Sequence, residues 1–318
     1  MVISGRLRRL CREKSICSIF RAGCNAAIAK AEHKLVSKID SSPLYPPLFI
    51  VGPPRSGTTV IYLYLVNSLQ FGYFPNVSKR HPEAPFVYAM FTALSKSYEP
   101  TYENRYGVVE GAMAPSDGWS IFHRWFPRYD RGQAVQVDSL GELRGVVRLF
   151  EKLFRAPFLN KNNNHPSRIS QLAQLFPRAI FVHVTRETVS NVLSLMEARQ
   201  AHGVKLNEWW SAVPRQSKRL FDSYLEQVTY QIVDAHEEIG ESLAKISSDR
   251  YTTAQYKEFC SEPAKLRSWV VQRYATHGIR LAVHEDSHKS FVPSLRTAKK
   301  TVRREIDRLV ANYANPAE

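Results

Sequence analysis

One stretch, Pro47–Leu63 (PLFIVGPPRSGTTVIYL), constrains this chain more than any other. Leu48 to Val51 is a short apolar run suited to a fully buried strand. Gly52 to Gly57 is a Pro/Gly loop, and an apolar periodic segment starts directly after it. Strand, loop and helix in that order predict an α/β fold. The spacing from Gly52 to Gly57 to Thr58-Thr59 follows the pattern G-x-x-x-x-G-K-[ST], in which loop amides and a helix N-terminus surround a phosphate. Thr58 stands where the lysine belongs, and a nucleoside triphosphatase needs that lysine on its β- and γ-phosphates. Arg55 supplies a cation within the loop instead, so the expected anion is not a triphosphate.

The rest of the chain repeats the rhythm of strand and helix. Thr58–Gln70 reads as a buried helix and Phe71–Phe74 as a strand after it, making one parallel βαβ unit. Residues 76–136 are rich in proline and aromatic residues and read as an insertion over the top of a sheet. Helical periodicity returns at Ser139–Arg155, and Pro157–Asn160 reads as a strand running into Lys161. A helix at Pro166–Phe176 precedes the strand Ala179–Val184 (AIFVHV), which is followed by a helix at Thr188–Ala201. Glu208–Glu241 reads as two helices broken near Pro214, and Leu243–Ser247 as a last central strand. Glu262–His277 is a helix opened by Pro263, and Thr301–Tyr313 a terminal helix.

At 318 residues with 44% hydrophobic content, one large α/β domain is expected over 46–318, preceded by a basic amphipathic helical extension at 1–45. The formal charge is +15, and residues 1–45 and 287–318 together supply ten of those fifteen charges. Basic termini suit an anionic membrane surface or an acidic substrate. The charge is not interleaved with aromatics along one face, so no nucleic-acid partner is expected. No apolar run approaches the roughly 20 residues that span a bilayer. The cysteines, Cys11, Cys17, Cys24 and Cys260, show no Cys-x-x-Cys spacing, which points to a reducing, cytoplasmic setting and no metal site.

A second anion signal follows AIFVHV. Arg186 leaves the carboxyl end of that strand, where open α/β sheets bind ligands, and Ser194 lies eight residues later in the next helix. Two anion sites at two strand ends suggest one ligand with two separated phosphates. With the loop, this pattern resembles the sulfotransferases that use 3′-phosphoadenosine 5′-phosphosulfate (PAPS). PPRSGTT at Pro53–Thr59 is similar to their 5′-phosphosulfate loop, and Phe176–Ser194 is similar to their 3′-phosphate signature. Glu187-Thr188 departs from the Asp-Pro or Asp-Gly that usually follows the arginine. Lys161 resembles the lysine that contacts the transferred sulfuryl group, and Asp249–Tyr256 (DRYTTAQY) a degenerate RYEDL segment retaining Tyr251.

The resemblance implies a three-layer αβα architecture with a central, mainly parallel sheet, the P-loop NTPase-like sulfotransferase fold. It also implies PAPS as donor, adenosine 3′,5′-bisphosphate (PAP) as product and in-line displacement at sulfur without metal. Donor contacts are expected from Arg55, Ser56, Gly57, Thr58, Thr59, Arg186, Ser194 and Tyr251, with Arg296 in a basic C-terminal loop closing over the 3′-phosphate. Arg55 and Lys161 would neutralise charge developing in the transition state. The acceptor, a hydroxyl of a carbohydrate or glycolipid, also needs a general base. Glu83 leads, because the carbohydrate and tyrosine branches carry a glutamate in that region. His123 would mimic the histidine of small-molecule enzymes, although the matching position is Asn163, and Glu110 is a third candidate. Trp119, Phe122, Trp125, Phe126 and Trp209-Trp210 could stack on an acceptor or pack a lid. A P-loop kinase or nucleoside triphosphatase remains the alternative, against which the missing lysine counts.

Overall fold

In a computed structural model the chain is described over residues 25–126, 137–284 and 290–314. Four strands, β1 (Leu48–Val51), β2 (Leu159–Lys161), β3 (Ile180–Thr185) and β4 (Tyr251–Gln255), form an all-parallel sheet in the order β2-β1-β3-β4. Leu48 pairs with Leu159 on one side and Ile180 on the other. Because helices cover both faces, an interior strand must be apolar at every position, and each residue of β1 is 0% exposed. Phe49 and Val51 point into one core with Leu143, Leu172 and Ile239, from the helices Val137–Phe154, Ile169–Leu175 and Tyr224–Leu243. Leu48 and Ile50 point into the other with Ile61, Phe259 and Val270, from Thr58–Ser68, Tyr256–Ser261 and Pro263–Ala275. The result is the expected three-layer αβα architecture.

Several expected elements differ. Phe71–Phe74 contributes one parallel bridge, Gly72 with Phe158, outside β2. Gly72 N donates to Pro157 O and Gly72 O accepts from Leu159 N, at 2.8 Å each. β2 therefore lies between this segment and β1, and the first crossover skips a strand position. Leu243 closes the long helix instead of opening a strand. The last strand is β4, an edge strand with Thr253 and Gln255 exposed and only Ala254 buried, too polar to stand out as an apolar run. The expected helix at the start of Glu208–Glu241 is absent: residues 202–223 carry no helix, and Asn207 and Ser211 are left-handed at φ 64 and 72.

Arg199 organises that loop. Its guanidinium, 0% exposed, donates to Lys205 O (3.3 Å), Glu208 O (2.8 Å), Gln227 Oε1 (3.0 Å) and Gln231 Oε1 (3.4 Å). Arg199→Ala would orphan buried acceptors and leave a cavity, and it is expected to cost about 3–5 kcal/mol in urea unfolding. A loss under about 1 kcal/mol would show that the loop holds without it.

Residues 25–38 are helical and pack on the domain, with Val36 sharing the core that contains Phe49. Glu32 from this helix accepts from Phe86 N and Val87 N, each at 3.0 Å, at the start of the helix Pro85–Ala93. Burial raises the Glu32 pKa from 4.5 to about 7 against the opposing pull of those amides. The folded state therefore holds this proton more tightly than the unfolded chain. The associated stability is complete below pH 4.5 and is lost as pH rises to about 7. Between pH 5 and 8, Glu32→Gln is expected to lose about 2 kcal/mol less stability than the wild type, read from urea midpoints at each pH. Equal losses would show that Glu32 is not the titrating group.

Candidate active site

In a parallel sheet all carboxyl ends share one edge, and here three adjacent strands deliver the expected cations to it. β1 runs into the loop Gly52–Gly57, β2 ends at Lys161 and β3 at Thr185, directly before Arg186. Arg55 is left-handed at φ 66, an uncommon conformation for a residue with a side chain and one found where function over-determines the backbone. Gly57 has φ 103, and a Cβ there would overlap the Tyr256 ring, so glycine is required twice over. The helix Thr58–Ser68 starts at Gly57 with no side-chain cap and no acid in its first turn, leaving its amides free to meet an anion.

Arg55 and Arg186 lock the two anion signals together. Arg55 Nε donates to Ser194 Oγ at 3.4 Å, and Arg186 Nη1 donates to Arg55 O at 2.8 Å. Arg186 Nη2 donates to Ser190 Oγ at 3.0 Å and to Ser294 O, and its guanidinium lies 4.8 Å from the Tyr256 ring centre. With its amide oriented by its neighbours, Asn191 donates to Pro54 O and Arg55 O at 3.0 Å each, steadying the loop. Ser56 Oγ and Arg186 Nε are buried without a hydrogen-bond partner among the described residues. Burial lowers the pKa of both Arg55 and Arg186.

Lys161 is 6% exposed. Burial pushes its pKa down, Lys79 and Arg55 push it further, and Asp117 opposes them. Arg55, Thr59, Tyr106, Lys161, Arg186 and Tyr256 line a cavity of ≈ 210 Å³. Over it hangs the turn Arg105–Val108, closed by bonds of 2.9 and 3.0 Å between those two residues, with Tyr106 and Gly107 left-handed at φ 52 and 88. A Cβ on Gly107 would lie 3.1 Å from Thr59 Oγ1 and 4.0 Å from Lys161 Nζ, so a side chain there would intrude between the loop and the lysine.

The structure thus brings together Arg55, Ser56, Gly57, Thr58, Thr59, Lys161, Arg186 and Ser194. The C-terminal segment also closes on them: Arg296 N donates to Ser190 Oγ at 2.9 Å, while the Arg296 guanidinium pairs with Glu197 at 2.8 Å. Tyr251 stands apart, at the amino end of β4 opposite Phe181. Tyr256, just past the carboxyl end, holds the cavity position, and its hydroxyl accepts from Ser294 N at 3.0 Å. Glu83 is 36% exposed, with Oε1 3.4 Å from His81 Nδ1. His123 stacks edge-on against Trp119 at 4.9 Å, and Glu110 is exposed.

Sequence reasoning passed over Ser190, Tyr256 and Tyr106. Ser190 carried a usable signal, one helical turn after Arg186. The expected stacking residues are largely core: Phe122, Trp125 and Phe126 are buried, whereas Trp119 is 39% exposed. Among the described residues no group of three or more His, Cys, Asp or Glu could hold a metal, and no helix is long and apolar enough to cross a membrane.

A family model described as "Sulfotransferase family" matches residues 46–268, more than two thirds of the 318 residues. Omega-hydroxy-beta-dihydromenaquinone-9 sulfotransferase Stf3 of Mycobacterium bovis is 22% identical over 244 residues, covering 69% of this chain and 60% of that protein. The Mycobacterium tuberculosis protein of the same name matches equally, so the chain spans 60% of the length of these curated relatives. Two solved structures share the fold. Sulfotransferase STF9 of Mycobacterium avium superposes with a TM-score of 0.55 at 13% identity, over 92% of this chain and 73% of that one. For STF1 of Mycobacterium tuberculosis the TM-score is 0.54 at 15% identity, over 91% and 78%. The matched span takes in the loop, Lys161 and the Arg186–Ser194 pair alike, and the chain belongs to the sulfotransferase family.

Proposed function

We propose that this chain transfers a sulfuryl group from PAPS to a hydroxyl acceptor. The observation that carries this is the convergence of Arg55, Lys161 and Arg186 on one cavity at the ends of three adjacent strands. The partnerless Ser56 Oγ and Arg186 Nε fit an anionic donor, since such atoms are costly to bury unless a ligand meets them. The loop amides and Arg55 would hold the 5′-phosphosulfate, and Arg186, Ser194 and Ser190 the 3′-phosphate, with Tyr256 between the two. Lys161 would neutralise the sulfuryl oxygens as charge spreads over them in the in-line transition state. Thr58, in place of the triphosphatase lysine, disfavours the kinase alternative.

A lipid-borne alcohol is the favoured acceptor, because the similar Stf3 proteins are named for a hydroxylated menaquinone derivative. Tyr106 at the cavity is 41% exposed and offers an apolar surface. The carbohydrate or glycolipid hydroxyl expected from sequence is the second arm of the test. A cytoplasmic setting, read from the cysteine pattern, and peripheral contact with an anionic membrane, read from the basic termini, complete the proposal; residues 1–24, 285–289 and 315–318 lie outside the described residues. Radiolabelled PAPS should be incubated with polyprenyl alcohols, glycolipids and polysaccharides. Label on a hydroxyl of any of them supports the proposal; tight PAP binding with no transfer to any class contradicts it.

A further inference from the structure

A second cavity, of ≈ 950 Å³, lies at the far end of the walls that build the first. The helix Thr58–Ser68 gives Thr58, Thr59 and Val60 to the cavity beside Lys161 and Val66, at its other end, to the second. Thr59 and Val66 are seven residues apart, about 10 Å along a helix. Residues 98–106 run beside this helix, for Leu63, between its two ends, packs against Tyr98 and Tyr102. Tyr98, Tyr102 and Glu103 line the second cavity, and the next residue, Asn104, lines the first. Asn104 Nδ2 donates to Tyr102 O and Asn104 Oδ1 accepts from Gly107 N, each at 3.1 Å, which fixes the segment where it passes from one cavity to the other.

The two cavities differ in chemistry. The first gathers Arg55, Lys161 and Arg186, and Arg186 Nε is buried without a partner among the described residues. No Lys or Arg lines the second. Its wall is largely aromatic: the Tyr73 ring centre lies 4.7 Å from that of Phe154 and 6.3 Å from that of Tyr98, and Leu69 and Phe71 extend the surface. Its polar atoms are satisfied within the protein. Tyr98 Oη donates to Asn67 Oδ1 at 3.1 Å and accepts from Thr101 N at 3.2 Å. Asn67 Nδ2 donates to Thr101 O, Gln70 Nε2 to Phe154 O and Tyr73 Oη to Met113 O, all at 3.2 Å. Among the described residues, none that lines this cavity keeps a buried polar side-chain atom without a partner. A saccharide needs free donors and acceptors and an anion needs a cation, whereas a hydrocarbon chain needs neither.

Resting on the sulfotransferase reaction proposed above, we propose that the second cavity holds the hydrocarbon chain of a neutral long-chain alcohol, the acceptor, whose hydroxyl end reaches past Glu103 and Asn104 to Lys161. Both of those residues are exposed, so the path between the cavities runs over the protein surface. The helix sets a minimum length. A chain must span the roughly 10 Å between the cavities before it meets the aromatic wall, and every carbon beyond that adds apolar burial.

The test compares transfer from labelled PAPS to farnesol and to 3-methylbut-2-en-1-ol, which is too short to span that gap, with photo-crosslinking of a diazirine analogue of farnesol in parallel. In the wild type, kcat/KM for farnesol is expected to exceed that for the short alcohol by about 100-fold or more. Val66→Trp and Pro100→Trp fill the cavity from its two walls, and each should cut that ratio about tenfold or more with PAP affinity within about threefold of wild type. Pro100 is exposed, so its replacement keeps the test valid if the helix does not tolerate the other. Crosslinks should fall within residues 66–73 or 98–103 and disappear with excess farnesol. Equal use of the two alcohols, an unchanged ratio in both variants, or crosslinks outside those residues overturns the proposal. If the wild type binds PAP yet transfers to neither alcohol, the reaction with this acceptor is wrong, and crosslinking decides the cavity separately: displaceable label at those residues sustains a chain-binding site, and label elsewhere or none removes it.

Discussion

Replacing Lys161 with methionine is expected to lower sulfuryl transfer by about 10²–10³-fold while PAP affinity stays within about threefold of wild type. The asymmetry follows from the role proposed for the lysine at the sulfuryl group. PAP has the two phosphates of the donor but no sulfuryl group, so a residue that meets only the sulfuryl oxygens contributes to turnover and little to product binding. Lys161 is almost fully buried, and burial opposes its charge more than any other influence. An apolar side chain of similar length removes a costly buried cation, so the thermal midpoint of Lys161→Met should not fall. Two results would place Lys161 elsewhere in the chemistry. One is a large loss of PAP affinity with transfer otherwise normal. The other is unchanged transfer.

Arg186→Ala is expected to show the opposite split, a PAP affinity about 100-fold weaker or worse. Arg186 is the hub of the proposed donor end. It holds the Arg55 carbonyl and Ser190 Oγ, lies over Tyr256, and keeps a buried Nε in reserve. Removing it takes away a fork suited to a phosphate and loosens the left-handed turn at Arg55. Adenosine 5′-phosphate, which has no 3′-phosphate, separates the two effects. If Arg186 serves the 3′-phosphate, the variant binds this ligand nearly as well as wild type does. If both ligands weaken equally, Arg186 acts through the loop alone. Lysine at this position should restore only part of the affinity, since a point charge cannot reproduce the two-pronged contact.

The parts of this site legible in the sequence are those fixed within a single element. The loop is readable because a phosphate cradle demands glycine at set positions between a buried strand and a helix, and Gly57 meets that demand at φ 103. Arg186 and Ser194 are readable because one follows an apolar strand directly and the other rides the helix that begins two residues later. The αβα layering is readable because β1, and β3 over Ile180–Val182, are apolar on both faces. The obscured parts depend on contacts between distant segments. The region after the first helix is held by single contacts, such as Asn76 Nδ2 to Val109 O at 2.7 Å and a bridge between Pro75 and Pro115. No periodicity encodes such contacts, so Tyr106 gives no sign in sequence of reaching the cavity. Tyr251 and Tyr256 share the segment Asp249–Tyr256, but only the strand boundaries show which lies at the carboxyl edge. β4 itself was missed because an edge strand can be mostly polar.

The most direct test of a PAPS site is a calorimetric comparison of PAP, adenosine 5′-phosphate and ATP on the wild-type chain. Two anion subsites one nucleotide apart, with threonine in place of the triphosphatase lysine, predict that PAP binds at least about 100-fold more tightly than either competitor, a difference of about 2.8 kcal/mol. ATP binding as tight as PAP or tighter would contradict that site, and with it the assignment of Arg55, Lys161 and Arg186 to a phosphosulfate donor.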